Sequence, residues 1–137
     1  ITRTFESKKQ KGAEVDLSTV FANSVKKAVR TVILDQKDHL EVIDRLETRD
    51  KEATVSWIMV TPAEAKITGK NRIELTKDGQ RMLLTADTGT EVEMKIWSNV
   101  PPHEYDFRNP GTIRVGFETV IPAHCASQLK VRLIPLK

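Results

Sequence analysis

The chain has 137 residues, carries a formal net charge of +3 at pH 7, and is 39% hydrophobic. That length suits one domain with its own hydrophobic core, and the even spread of apolar residues excludes a disordered chain. Basic and acidic residues are interspersed, so the small positive charge does not predict a nucleic acid as partner. No apolar run approaches the ~18 residues of a membrane-spanning helix, so no membrane span is expected.

The first eleven residues predict a lead-in or linker, and residues 12–137 predict a single domain. The opening begins with Ile1 rather than Met, resembles no signal peptide, and carries a short basic cluster typical of a solvated tether. Either a signal has been removed or the chain is a fragment of a longer multidomain polypeptide, and we expect the fragment. The domain begins with a weakly alternating run in which Ala13, Val15 and Leu17 share one side of a first strand.

Residues 27–61 contain three runs rich in Val and Ile, separated by short charged turns. Such residues suit a half-buried pleated surface, and polar spacers of a few residues suit hairpins. The runs predict a three-stranded antiparallel meander that forms the first half of a sheet-on-sheet core. Trp57, in the third run, is expected in that core. Asp44 interrupts the second run, which predicts a carboxylate with a structural partner.

The segment after the meander predicts a β-hairpin. Pro62 ends the third strand, because proline lacks the N–H that a β-ladder needs. Residues 63–68 fit either a short strand or one helical turn. Asp78-Gly79 then lies between two alternating runs, and both residues tolerate the positive φ angles of a type I′ turn.

The alternation of apolar and polar residues continues to the end of the chain. Residues 90–98 place Met94 inward and Trp97 on the wet side or under a loop. An irregular, proline-rich segment, residues 99–111, precedes two further alternating runs. Together, about nine or ten strands with regular turn signals and no helix predict an all-β, antiparallel β-sandwich.

The segment 99–111 also holds the best candidates for contact with a ligand. His103, Tyr105 and Arg108, together with Trp97, combine aromatic rings with basic groups. Such a set stacks on sugar rings and pairs with carboxylate or sulfate groups. The alternative is that the aromatic residues plug one end of the sandwich while the charges face water. Trp97 likewise fits either an anchor covered by a loop or an exposed stacking platform.

No motif predicts a catalytic centre. The three histidines occur in none of the spacings that bind metals. The single cysteine, Cys125, adjoins His124, but adjacent residues on a strand point to opposite faces. We therefore predict no catalytic residue, no metal site and no cofactor.

Several segments, taken in order, resemble the C-terminal β-sandwich region of the heparinase II/III-like polysaccharide lyases. The resemblance covers most of the chain from Gly12 onward and depends on the order of the segments. They are GAEVDLS (12–18), VKKAVR (25–30), LEVIDRL with its central aspartate (40–46), VSW (55–57), RIEL (72–75) and the Asp-Gly hairpin (78–79).

The resemblance implies a role without catalysis. Members of that family join an N-terminal α-helical toroid to β-sandwich domains and cleave acidic polysaccharides by β-elimination. A base removes the proton next to the uronate carboxylate, and an acid protonates the leaving oxygen. The family's catalytic Asn, His and Tyr lie mainly upstream of the region that this chain resembles. The implied partners are an upstream α-helical catalytic domain and, through it, an acidic polysaccharide, in a periplasmic or secreted setting.

Two other functions stay open beside that of a domain that braces the substrate cleft. One is a stand-alone carbohydrate-binding module, which should present an exposed aromatic platform. The other is a purely structural interaction sandwich. A bracing domain should instead show an apolar surface where the helical domain docks.

Overall fold

The computed structural model of the chain describes residues 1–89, 91–100, 103 and 109–137. Within these residues the backbone forms eleven β-strands, and no helix long and apolar enough to cross a membrane is present. The strands are β1 (Arg3–Glu6), β2 (Gln10–Asp16), β3 (Val25–Asp35), β4 (Leu40–Thr48), β5 (Ala53–Thr61), β6 (Glu64–Gly69), β7 (Arg72–Lys77), β8 (Gln80–Thr88), β9 (Glu93–Ser98), β10 (Ile113–Ile121) and β11 (Ala126–Leu136).

The strands pair antiparallel into two sheets. The large sheet has eight strands in the order β1-β2-β3-β4-β11-β8-β7-β6, and the small sheet has three in the order β5-β10-β9. The predicted all-β, antiparallel β-sandwich is therefore confirmed. One strand beyond the expected number, β1, lies in the segment predicted as a lead-in and pairs with β2 along its whole length.

Side chains that alternate along the strands fill the space between the sheets. Trp57 on β5 is 6% exposed, and Phe117 on β10 and Val131 on β11 are fully buried. The rings of Trp57 and Phe117 lie 6.1 Å apart and nearly parallel. Burying side chains of this kind contributes about 2–3 kcal/mol each, so this central layer is a main source of stability. The predicted core position of Trp57 is confirmed.

The predicted meander is correct for its first two strands and wrong for the third. β3 pairs with β4, but the other neighbour of β4 is β11, and β5 crosses to the small sheet and pairs with β10. The end of β4 explains this, because the Thr48 N–H donates to the Cys125 carbonyl at 2.9 Å and its hydroxyl donates to the Pro122 carbonyl at 2.5 Å. The segment before β11 therefore occupies the edge of β4 that β5 would occupy in a three-stranded meander.

The hairpin predicted after the third strand is confirmed. Lys77 pairs with Gln80, and Asp78 and Gly79 have φ angles of 50° and 75°, as a type I′ turn requires. Of residues 63–68, for which two conformations were open, residues 64–68 belong to strand β6 (Glu64–Gly69).

Candidate functional site

The side of the small sheet that points away from the large sheet is the principal candidate surface, and we call it the outer face. It is formed by every second residue of the three strands, because the residues between them point into the core. Its members are Thr54, Ser56, Ile58 and Val60 on β5, Arg114, Gly116, Glu118 and Val120 on β10, and Glu93, Lys95 and Trp97 on β9.

The outer face presents four large apolar side chains among polar and charged ones. Ile58, Val60 and Val120 are 43%, 48% and 47% exposed, and Trp97 is half-buried. Ile58 and Val60 are neighbours on this side of β5, whereas Val120 is paired with Thr54 and is separated from them by the pair of Ser56 with Glu118. A surface of this kind is typical of a site where another protein surface packs.

The corresponding side of the large sheet carries several charged pairs across strands, whereas the described residues of the outer face form one, between Lys95 and Glu118. Glu41 lies 3.9 Å from Lys130 and 3.5 Å from Arg132, and other pairs join Arg3 to Glu14 and Arg81 to Glu74. Each such surface pair contributes little to stability, but together they form a solvated face. The two sides of the sandwich are therefore chemically distinct.

A cationic and an aromatic side chain are cross-strand partners on the outer face. The register pairs Arg114 with Trp97 on one side and with Val60 on the other. The Arg114 guanidinium donates from Nε and Nη2 to the Ser98 carbonyl at 3.1 and 2.9 Å, and no ion pair with another described residue neutralises it. Lys95, on the same face, is paired with Glu118 at 3.1 Å.

Of the four predicted ligand-contacting residues, two can be located. Trp97 lies on the outer face, and His103 is exposed, whereas Tyr105 and Arg108 lie outside the described residues. The predicted cluster of four therefore stays a prediction. Sequence reasoning missed Arg114, because its position beside Trp97 depends on a register that alternation alone does not fix.

Gly116, on the middle strand β10, allows β10 and β5 to approach each other closely. Gly116 is paired with Ile58, and a Cβ added to it would collide with the main-chain carbonyl of Trp57. Its φ of 157° is also a conformation that other residues rarely adopt. A glycine inside a strand often marks such a close approach, which is the signal that the sequence offered.

A second candidate is a cavity of about 280 Å³ between β5 and the large sheet, near β3 and β4. Asp44, only 8% exposed, lines it together with Arg30, whose Nε and Nη2 donate to the two carboxylate oxygens at 2.7 and 2.9 Å. The hydrogen bond to Asp44 raises the pKa of Arg30. The predicted structural partner of Asp44 is therefore a cross-strand arginine.

Neither the outer face nor the cavity contains a recognisable reaction centre among the described residues. The Asp44 carboxylate is committed to Arg30, so it is not a free base, and the cavity carries no excess charge. Among the described residues, no group of three or more His, Cys, Asp or Glu side chains is arranged to hold a metal ion. The outer face combines apolar side chains with the cationic Arg114 and Lys95, which is a chemistry suited to binding.

Comparison with known proteins defines the fold. No protein-family model matches the sequence, and no curated protein matches it significantly. Among solved structures, heparinase III matches with a TM-score of 0.74 at 12% identity, over 98% of this chain and 20% of that one. The heparan sulfate lyase of Pedobacter heparinus matches with a TM-score of 0.65 at 15% identity, over 98% of this chain and 21% of the enzyme. A mutant of that lyase gives 0.69 at 15% identity over the same shares.

The class of protein that the sheets define is the two-layered antiparallel β-sandwich. More particularly, the chain has the fold of one portion of heparinase III and of a heparan sulfate lyase, and it spans about a fifth of their length. The resemblance predicted from the sequence is confirmed at the level of the fold.

Proposed function

We propose that this chain is a non-catalytic β-sandwich domain of a polysaccharide lyase that cleaves acidic glycans by β-elimination. In this role it braces or shapes the substrate cleft, while an α-helical domain supplies the base and the acid of the reaction. The family resemblance implies that such an enzyme is exported, either to the periplasm or as a secreted protein.

The observation that carries the proposal is the apolar outer face. Ile58, Val60 and Val120 expose nearly half of their surface on a domain whose other side carries several paired charges. A surface of this kind favours packing against a second domain over contact with water. The match of nearly the whole chain to a fifth of two lyases supports a position within a longer enzyme.

The proposal predicts that the isolated chain does not cleave glycans. We expect no rise in the absorbance of unsaturated uronate when the 137-residue chain is incubated with heparan sulfate, hyaluronan or alginate. The reason is that the proposal assigns the base and the acid of the reaction to an α-helical domain outside this chain. Turnover of any of the three polymers by the isolated chain would contradict the proposal.

A stand-alone carbohydrate-binding module is the second candidate, and the pairing of Trp97 with Arg114 favours it. An aromatic ring beside an arginine matches the ring face and the anionic group of a uronate or a sulfated sugar. In this case the chain would be retained on immobilised heparan sulfate, and Trp97→Ala would abolish retention while Val120→Ala, on the same face, would not. Absence of retention by the unmodified chain would eliminate this candidate.

A further inference from the structure

The two sheets have four outer edges, and three of them carry features that discourage the pairing of another strand. β1 is only four residues long and contains Arg3 and Glu6. β6 contains Glu64 and Lys66 and has an irregular register near its end. β9 contains Glu93 and Lys95. Short length, charged side chains and bulges are the usual protections of exposed edges.

The fourth edge, that of β5, lacks all of these features. β5 is nine residues long, ATVSWIMVT, and contains no charged residue, no proline and no glycine. It pairs with β10 on one side, and within the described part of the chain no strand pairs with its other side. Its sequence is therefore that of an interior strand, although its position is at an edge.

The large sheet continues beyond this edge. Ala53 packs with Val25 and Ala28, and the cavity below β5 is lined by Arg30 and Asp44, so β5 lies over β3 and β4. β2 and β1 extend past it by two strands, or about 10 Å.

Four apolar side chains of β2 and β3 lie at that extension on the core-facing side, beside the polar Thr4, Glu6 and Lys11, and we call these four the shelf. The register aligns Ala13 with Val32 and through it with Val42 of the core, so these side chains share the face that the small sheet covers elsewhere. All members of the shelf are half-buried rather than buried. They are Ala13, Val15, Val32 and Leu34.

A second copy of this chain does not fit the β5 edge. Antiparallel pairing of two β5 strands in one continuous sheet places both large sheets on the same side of that sheet. Each large sheet extends two strands beyond its own β5, so the two extensions would overlap. Any strand added at this edge must therefore bring no wide sheet of its own.

We propose that the free edge of β5 receives one extended segment from elsewhere in the longer lyase polypeptide. The segment pairs its backbone with β5 and places apolar side chains on the shelf, in the manner of strand addition. The inference rests on the proposed function, since about four-fifths of a heparinase-like lyase would lie outside this chain.

The test compares backbone amide hydrogen exchange in the isolated chain and in the complete polypeptide that carries it. In the isolated chain, the β5 amides that do not bond to β10 should exchange freely. In the complete polypeptide we expect these amides to slow by about tenfold or more, because they gain partners. Methyl signals of Ile58 and Val120, recorded with a soluble paramagnetic probe, report separately on the outer face.

Two matched lysine variants separate the edge from the face. Ser56→Lys and Val120→Lys both add a charge on the outer face at exposed positions, but only Ser56 lies on the edge strand. We expect Ser56→Lys to restore fast exchange of the β5 amides and Val120→Lys to leave it slow.

The outcomes distinguish the two proposals. Free exchange along β5 together with a shielded outer face would overturn strand addition and leave the bracing domain intact. Free exchange along β5 and an exposed outer face would overturn both. Slow exchange of the β5 amides that is affected equally by the two lysine variants would also contradict strand addition. It would mean that contacts on the outer face, rather than a strand paired with β5, protect these amides.

Discussion

At the scale of single residues, Gly116 gives the sharpest prediction of stability. Gly116→Ala should lower the free energy of unfolding by at least about 2 kcal/mol, because the new Cβ meets the Trp57 carbonyl and the φ angle becomes strained. Urea unfolding of the purified variant and of the unmodified chain measures this difference in the free energy of unfolding. Gly89→Ala is the matched control, since a Cβ there has open space, and should change stability by less than about 0.5 kcal/mol. Equal effects of the two substitutions would contradict the close approach of β10 to β5.

Asp35, at the turn between β3 and β4, gives a prediction about pH. Its Oδ1 accepts backbone N–H groups of His39 and Lys37 at 3.1 and 2.7 Å, and these bonds, that from His39 foremost, hold the pKa of Asp35 below its usual 3.8. Because the folded-state pKa is lowered, the stabilisation is complete above the unfolded-state pKa and is lost as pH falls through the folded-state pKa.

The substitution Asp35→Asn should therefore reduce the loss of stability on acidification. We expect unfolding in urea at about pH 6 and about pH 3 to show a smaller difference for Asp35→Asn than for the unmodified chain. An identical difference in the two proteins would mean that the turn does not depend on the charge of Asp35.

The sequence indicated that Asp44 needed a partner but not which one. Arg30 lies fourteen positions away and meets Asp44 only because β3 and β4 pair in one particular register. Arg114 was missed for the same reason, since its neighbour Trp97 lies on another strand. Composition shows which side chains need partners, and register decides which partners they find.

At the scale of strands, alternation located nearly every element. The β7–β8 hairpin was predictable in full, because Asp78-Gly79 specifies a turn that joins adjacent strands. The strand at residues 53–61 was also located, but its partner was not. A short polar turn is compatible with a hairpin or with a crossover between sheets, and the choice was made by contacts of Thr48 with a segment more than 70 residues away.

At the scale of the whole molecule, the sandwich is unequal, with eight strands facing three. The excess of the large sheet leaves the shelf uncovered, and the small sheet exposes the apolar outer face. Packing within a longer lyase would explain why the shelf and the outer face are exposed in this chain. Neither surface could be predicted from the alternation of apolar and polar residues in the sequence. The two candidate docking surfaces therefore depend on how the sheets are stacked.

The position of β5 is the claim on which the core, the outer face and the free edge all depend. Nuclear Overhauser effects between backbone protons test it directly in the isolated chain. The account predicts cross-strand contacts between Met59 and Val115 and between Val42 and Val131. Contacts joining β5 to β4, as in a three-stranded meander, would contradict it.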